Sequence, residues 1–239
     1  MDLITRFNFI LSDEKVKIKG FLGQVTNLVF TKLLGDYGFD AASSQYSLDP
    51  IRRQNSQEIS FSVYTTDQNL RGVVLSLLTD ESPKKLSLFQ QEIPLSRISV
   101  ETISIPQPKI TKKGSSLRIR FLSPTVLNTK HPLPQMRELY RQFITQYSQY
   151  SSTEIDIDAF TESALKSIST PDFDIKSGNF KHMSSKVLGF RGSILLVVEK
   201  ADAPDLLYPS LELASALGLG LFTSSGFGRM SVTSRSAGQ

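Results

Sequence analysis

The residues with the most distinctive spacing lie near the C-terminus, in Gly218-Leu219-Gly220-Leu221-Phe222-Thr223-Ser224-Ser225-Gly226-Phe227-Gly228-Arg229-Met230, a G-x-G-x5-G-x-G pattern. A nucleotide-binding G-x-G-x-x-G follows a strand and opens a helix, which puts the phosphate on the helix N-terminus. Here a predicted helix comes first, the spacing differs, and no Gly-Lys-Ser/Thr follows, so dinucleotide and P-loop binding are disfavoured. Glycine permits positive φ and close approach of the backbone. Such a string could be a tight helix-to-strand turn packed on its own domain. Two symmetric pairs are more than a turn requires and point to close approach to something else. Side chains that move protons near neutral pH are scarce: the 239-residue sequence has two histidines, His131 and His182, and no cysteine. Disulfides and thiolate metal sites are excluded, and a two-histidine metal centre would consume both imidazoles.

Charge narrows the partners further. The net charge is +4, a mild bias, but its distribution is uneven. Lys109, Lys112, Lys113, Arg118, Arg120, Lys130, Arg137 and Arg141 are opposed in their stretch only by Glu138. The acids gather in Glu154, Asp156, Asp158, Glu162, Asp172 and Asp174. A basic stripe facing away from an acidic segment is the expected footprint of a polyanion-binding surface, against the alternative of two ordinary solvated faces. Hydrophobic residues make up 39% and charged residues 21%, with 15 Phe, so a packed core is expected and a disordered chain is not. The longest apolar run, Ile194 to Val198, is strand-sized, and the first residues lack a small-residue cleavage site. A soluble, cytoplasmic protein with no membrane partner is the expectation.

The elements that must position these residues follow from periodicity. Leu3–Leu11 alternates as a strand, and Gln24–Leu34 has helical spacing with Gly35 as a natural C-cap. A polar loop is predicted over Asp40–Gln57, a strand over Glu58–Tyr64, a helix over Asp67–Leu78 and a strand over Ile98–Ile105, with one further strand nearby. Pro106, Pro108 and the Lys112–Ser116 run read as a linker. A second series follows: strand Leu117–Leu122, helices Pro134–Tyr150 and Asp158–Ile168, strands Ser177–Met183 and Val187–Glu199, helix Leu206–Leu217, and strand Arg229–Thr233. Each half has a split β-α-β order. The expected class is α+β, two tandem ferredoxin-like modules at 1–108 and 117–239 joined by a linker at 109–116.

The glycine string resembles the glycine-rich loop of the RAMP superfamily, and within it the CRISPR repeat-RNA-processing endoribonucleases. Ile119-Arg120-Phe121-Leu122-Ser123-Pro124-Thr125 resembles that family's strand ending in Ser-Pro at the start of the second module, and Val187-Leu188-Gly189-Phe190 its strand entry after an RNA-contacting hairpin. The resemblance implies tandem ferredoxin-like (RRM-like) folds, CRISPR repeat RNA as substrate, no cofactor, and delivery of crRNA to the subunits of an interference complex. Relatives often pair, which makes a homodimer a further implied partner.

It also implies metal-independent chemistry. The 2′-hydroxyl attacks the adjacent phosphate, leaving a 2′,3′-cyclic phosphate or its opened form and a 5′-hydroxyl; this needs a base, an acid and positive charge on the phosphorane. Many members carry a histidine on the first helix or the loop after it, whereas this sequence has none before His131. Phe30 stands roughly where relatives carry Tyr, and Gln45 and Tyr46 fall near the expected histidine. Lys32, Tyr37, Tyr46, Arg52 and Arg53 remain in that region. Lys and Arg suit charge stabilisation, but neither is a base near pH 7 unless a lysine is desolvated.

His182 lies in Phe180-Lys181-His182-Met183-Ser184-Ser185-Lys186, on the hairpin that in relatives enters the base of an RNA stem. The catalytic candidates are therefore Tyr46, Lys32 and His182. The RNA-binding candidates are Lys181, Lys186, Arg191, Arg52, Arg53, Gly218, Gly220, Gly226, Gly228 and Arg229, with the glycine loop presenting backbone N–H groups to phosphates or packing beneath them. His131 reads as a loop residue beside a helix start. Two alternatives to an endoribonuclease stand: a non-catalytic RNA-binding RAMP protein, and a ferredoxin-like scaffold that binds protein only.

Overall fold

The computed structural model describes residues 3–12, 22–88, 90–107, 112–127, 133–151, 154–200 and 204–235. His131, Lys109 and Lys130 lie outside them. The chain forms two compact units, one of Leu3–Ser104 with Thr223–Gly226, the other of Ile105–Phe222 with Phe227 onward.

The first unit runs β1 (Leu3–Ser12), α1 (Gly23–Gly35), β2 (Tyr46–Arg53), β3 (Glu58–Thr65), α2 (Gln68–Thr79), β4 (Lys85–Leu88) and β5 (Gln91–Ser104). Its antiparallel sheet has the order β2-β3-β1-β5-β4, a ferredoxin-like core with β4 added at one edge. Alternation in β1 places Phe7, Phe9 and Leu11 in the core with Ile59, Phe61 and Val63 of β3 and with Val29, Phe30 and Leu34 of α1. Phe9 and Phe61 stack at 4.7 Å, and Phe30 meets Phe9 edge-on at 5.7 Å. The Asp67 carboxylate accepts from the Asn69 and Leu70 N–H groups, which fixes the start of α2.

Two local expectations change here. The predicted loop 40–57 contains the strand β2. Its signal is masked by Asp49-Pro50, which a sheet tolerates because β2 is an edge strand whose register slips between Asp49 and Arg52. Gly35 is the last helical residue rather than the turn-maker; the left-handed residue is Gly38, at φ 77°.

The second unit runs β6 (Ser116–Thr125), α3 (Met136–Tyr150), α4 (Ile157–Ser167), β7 (Ile168–His182), β8 (Ser185–Val198), α5 (Leu207–Leu217) and β9 (Met230–Arg235), with sheet order β7-β8-β6-β9. It too is ferredoxin-like, so the expected tandem arrangement is borne out. In β6, Leu117, Ile119 and Phe121 are buried while the alternating Arg118 and Arg120 are not. β7 begins at Ile168, nine residues before the predicted Ser177, because Asp172 and Asp174 mask its period.

The charge segregation expected from the sequence does not survive folding. Arg137 and Arg141 on α3 pair with Glu162 and Asp158 on α4, and Arg118 reaches Asp172 at 3.1 Å. Hydrogen bonding from Arg137 holds Glu162 below the usual carboxylate range. Part of the basic stripe is thus neutralised by the acidic segment it was expected to face away from. Distance along the chain says nothing about distance across a helix pair.

Candidate nucleic-acid interface

In the second unit, β7 and β8 form a long hairpin whose register pairs Phe180 with Val187, Lys181 with Lys186, and His182 with Ser185. Directly paired residues share a face, and successive residues alternate. Lys181 and Lys186 therefore share one face and are both exposed, while Phe180, His182 and Arg191 occupy the other. On that second face Gly178 and Gly189 are paired, and the Phe180 ring fills the space they leave: a Cβ at Gly189 would come within 3.3 Å of it. The Arg191 guanidinium lies over the same ring, 5.3 Å from its centroid. The hairpin candidates are thus divided, with lysines outward and His182 and Arg191 in aromatic contacts.

The glycine loop is sewn to the end of β6. Gly218 closes α5 with its N–H on Ala214, and its carbonyl accepts from the Gln146 amide at 2.8 Å. Leu221 N–H donates to Val126, Gly228 N–H to Pro124, and Leu219 N–H back to Gly228. Gly220 and Gly228 sit at φ 84° and 73°, and a Cβ there would fall 2.3 Å from the Val126 oxygen and 2.0 Å from the Leu219 oxygen. Only glycine fits either place. Gly226 N–H donates to Thr223, and Arg229 N–H to the Ser123 hydroxyl. The Arg229 side chain is buried and donates to the Ala216 carbonyl at 2.7 Å.

The N–H groups of Gly218, Gly226, Gly228 and Arg229 have acceptors within the fold and the Arg229 side chain is buried, an arrangement that does not favour a loop offering them to phosphates. The alternative, a loop packed as a rigid platform, is what the geometry presents. At its apex His182 stacks on Phe222, with ring centroids 4.0 Å apart at 29°, and meets the buried Phe227 edge-on at 5.7 Å. Burial against these rings pulls the imidazole pKa down. Phe222 carried no role in the sequence reading. Its only signal is an aromatic within the glycine loop, a feature it shares with Phe227.

The first unit holds the other candidates. Tyr46 is buried on β2 against Phe30 and Phe39, and its hydroxyl donates to the Asn27 side-chain oxygen at 2.6 Å. Burial raises its pKa to about 12, so the phenol keeps its proton at neutral pH. Tyr46 is a core aromatic rather than a base. We expect Tyr46→Phe to cost about 1 kcal/mol in stability, read by denaturant unfolding, and to leave any RNA cleavage rate unchanged.

Lys32 is exposed and lies five positions beyond Asn27 on α1, about 140° around the helix, so it is not brought to Tyr46. It lines a cavity of ≈ 590 Å³ together with Tyr37 and the α2–β4 connection. There Tyr37 and Lys84 both donate to the Asp80 carboxylate, and these bonds hold its pKa far below the usual range. Lys32, Lys84 and Lys85 are matched among the lining residues by Asp36, Asp80 and Glu92, so the cavity has no net positive charge. Arg52 is exposed on β2, and Arg53 folds back onto the Asn55 and Ser56 carbonyls. The first unit also takes in Thr223–Gly226, where a Cβ on Gly226 would press on Pro50 of β2 at 2.8 Å.

Two ferredoxin-like modules, the second with a glycine loop braced against a long hairpin, are the arrangement that the resemblance to the RAMP superfamily implies. A family model described as the CRISPR-associated endoribonuclease Cas6 matches residues 119–230. No curated protein matches the sequence. Among solved structures, a Cas6 product complex shares the fold at a TM-score of 0.74 and 19% identity, over 98% of this chain and 100% of that one. Thermus thermophilus Cas6 does so at 0.71 and 17%, over 97% and 98%. A partial Cas6-RT-Cas1–Cas2 complex does so at 0.68 and 11%, over 98% of this chain and 46% of that one. The resemblance to the CRISPR repeat-RNA-processing endoribonucleases is borne out: the second module matches that family's model, and the chain has its fold throughout. No helix among the described residues is long and apolar enough to cross a membrane.

Proposed function

We propose that this protein binds CRISPR repeat RNA through the β7–β8 hairpin and the adjoining glycine loop, and cuts it by attack of the 2′-hydroxyl on the neighbouring phosphate. The observation that carries the reading is the Lys181–Lys186 pair near the hairpin tip. Like charges directly opposite on a sheet face are destabilising, and a phosphate between them offsets that repulsion. Lys181 and Lys186 hold the RNA backbone, and the rigid loop fixes where the strand can lie. Holding the 2′-oxygen, phosphorus and leaving oxygen in line is itself a large part of such catalysis. The positive charge for the phosphorane comes from lysine or arginine, with Lys32 and Arg52 the exposed candidates of the first unit. Other subunits of a CRISPR complex and a second copy of the chain are the remaining proposed partners.

A second reading is an RNA-holding relative that does not cut. It is favoured by the protonated, packed Tyr46 and the stacked His182, which leave both proton-transfer candidates engaged in the fold. Incubating the protein with end-labelled repeat RNA in excess EDTA separates the two. A single product with a 5′-hydroxyl end, abolished by 2′-deoxy substitution at the cut, is the expected result. Tight binding without a cut establishes the holding relative, and no binding rejects both.

A further inference from the structure

Two non-glycine residues beside the His182–Phe222 stack have left-handed backbones, Met183 at φ 52° and Phe222 at φ 63°. Met183 opens a two-residue hairpin turn, Met183-Ser184, with positive φ at its first position alone, where glycine would be the local choice. Left-handed conformations are unfavourable for long and aromatic side chains and persist where the surroundings over-determine them. Neither the hairpin tip nor the apex of the glycine loop is therefore specified by local turn chemistry. His182 joins them by stacking on Phe222 and meeting edge-on Phe227, which is 0% exposed and whose N–H donates to the Phe222 carbonyl at 3.3 Å. The lysines lie on the opposite face of the hairpin, so the stack leaves them outward.

We propose that His182 is a positioning residue: stacked on Phe222, it clasps the hairpin tip to the glycine loop, so that Lys181 and Lys186 are presented to RNA in one fixed orientation. The inference deepens the RNA-binding reading above and rests on it for the ligand. What the clasp requires of residue 182 is a flat ring, not a transferable proton. Without it Met183 at the tip and Phe222 at the loop apex relax, and the lysines lose their fixed geometry. The cost of binding then includes ordering the tip.

The test compares His182→Phe, His182→Gln and His182→Ala in the full chain. His182→Phe retains repeat-RNA affinity and any cleavage rate within about twofold, whereas His182→Gln and His182→Ala weaken binding about three- to tenfold, the range a lost ring contact gives. Hydrogen exchange read in the same proteins without RNA is faster at amides 181–186 and 222–227 in the Gln and Ala variants and unchanged in the Phe variant. Loss of cleavage in His182→Phe with binding intact would make His182 a catalytic residue and overturn the proposal. Unchanged exchange in His182→Ala would show that no clasp exists. Faster exchange with unaltered RNA affinity would reduce the stack to a structural contact. If the wild type binds no repeat RNA, the exchange arm still decides the clasp, so the two readings fail separately.

Discussion

Replacing Lys181 and Lys186 together with alanine is expected to weaken repeat-RNA binding on the order of tenfold at moderate salt and to lower the slope of log K against log[salt] by about 1–2. The two residues are directly paired across the hairpin, so their side chains leave from one place on the same face. Lys186→Glu sharpens the test because stability and binding move in opposite directions. A Lys–Glu pair across the strands replaces a like-charge pair and stabilises the hairpin by about 0.2–1 kcal/mol, while the carboxylate repels phosphate. Equilibrium binding at several salt concentrations, with thermal unfolding of the same variants, gives both readings. An unchanged salt slope in the double alanine variant would remove the hairpin from the RNA interface.

The largest effect on stability is expected from Gly228→Ala. At φ 73°, an added Cβ falls 2.0 Å from the Leu219 oxygen and 2.8 Å from the Leu219 nitrogen, both backbone atoms that cannot swing aside. The left-handed conformation costs about 1–2 kcal/mol for a non-glycine residue. Moving the Leu219 peptide also breaks its own N–H bond to the Gly228 carbonyl. A loss of about 3 kcal/mol follows, which is roughly 6–12 °C in melting temperature for a chain of this size. Gly178→Ala is the contrasting variant, because its Cβ would meet only the Phe180 ring, at 3.6 Å. It should change stability by less than about 1 kcal/mol. Equal melting shifts for the two variants would contradict the account of the loop as a braced platform.

Alternation and helical spacing by themselves determined much of this protein. Phe7, Phe9 and Leu11 in β1 and Leu139, Tyr140, Phe143 and Tyr147 in α3 are buried as their periods require, because a 2.0 or 3.6 repeat places apolar groups on one side whatever the partner. The two ferredoxin-like modules followed from the order of such segments, and the glycine string marked a place where the backbone must come close to something.

Tertiary structure decided what that something was. The space beside Gly220 is taken by Val126, more than ninety positions earlier in the chain, a partner no local pattern names, while that beside Gly228 is taken by Leu219 of the same loop. The same limit hid β2, whose pairing with β3 overrides Asp49-Pro50. It also hid the pairing of Arg137 and Arg141 with the acids of α4. Tyr46 and His182 were selected because phenol and imidazole can exchange protons. Whether such a group is available depends on burial and neighbours, and folding gave Tyr46 a core position against Phe30 and His182 a ring to stack on. Residue type is a property of the sequence, whereas the state of a titratable group belongs to the packed environment that only the complete fold supplies.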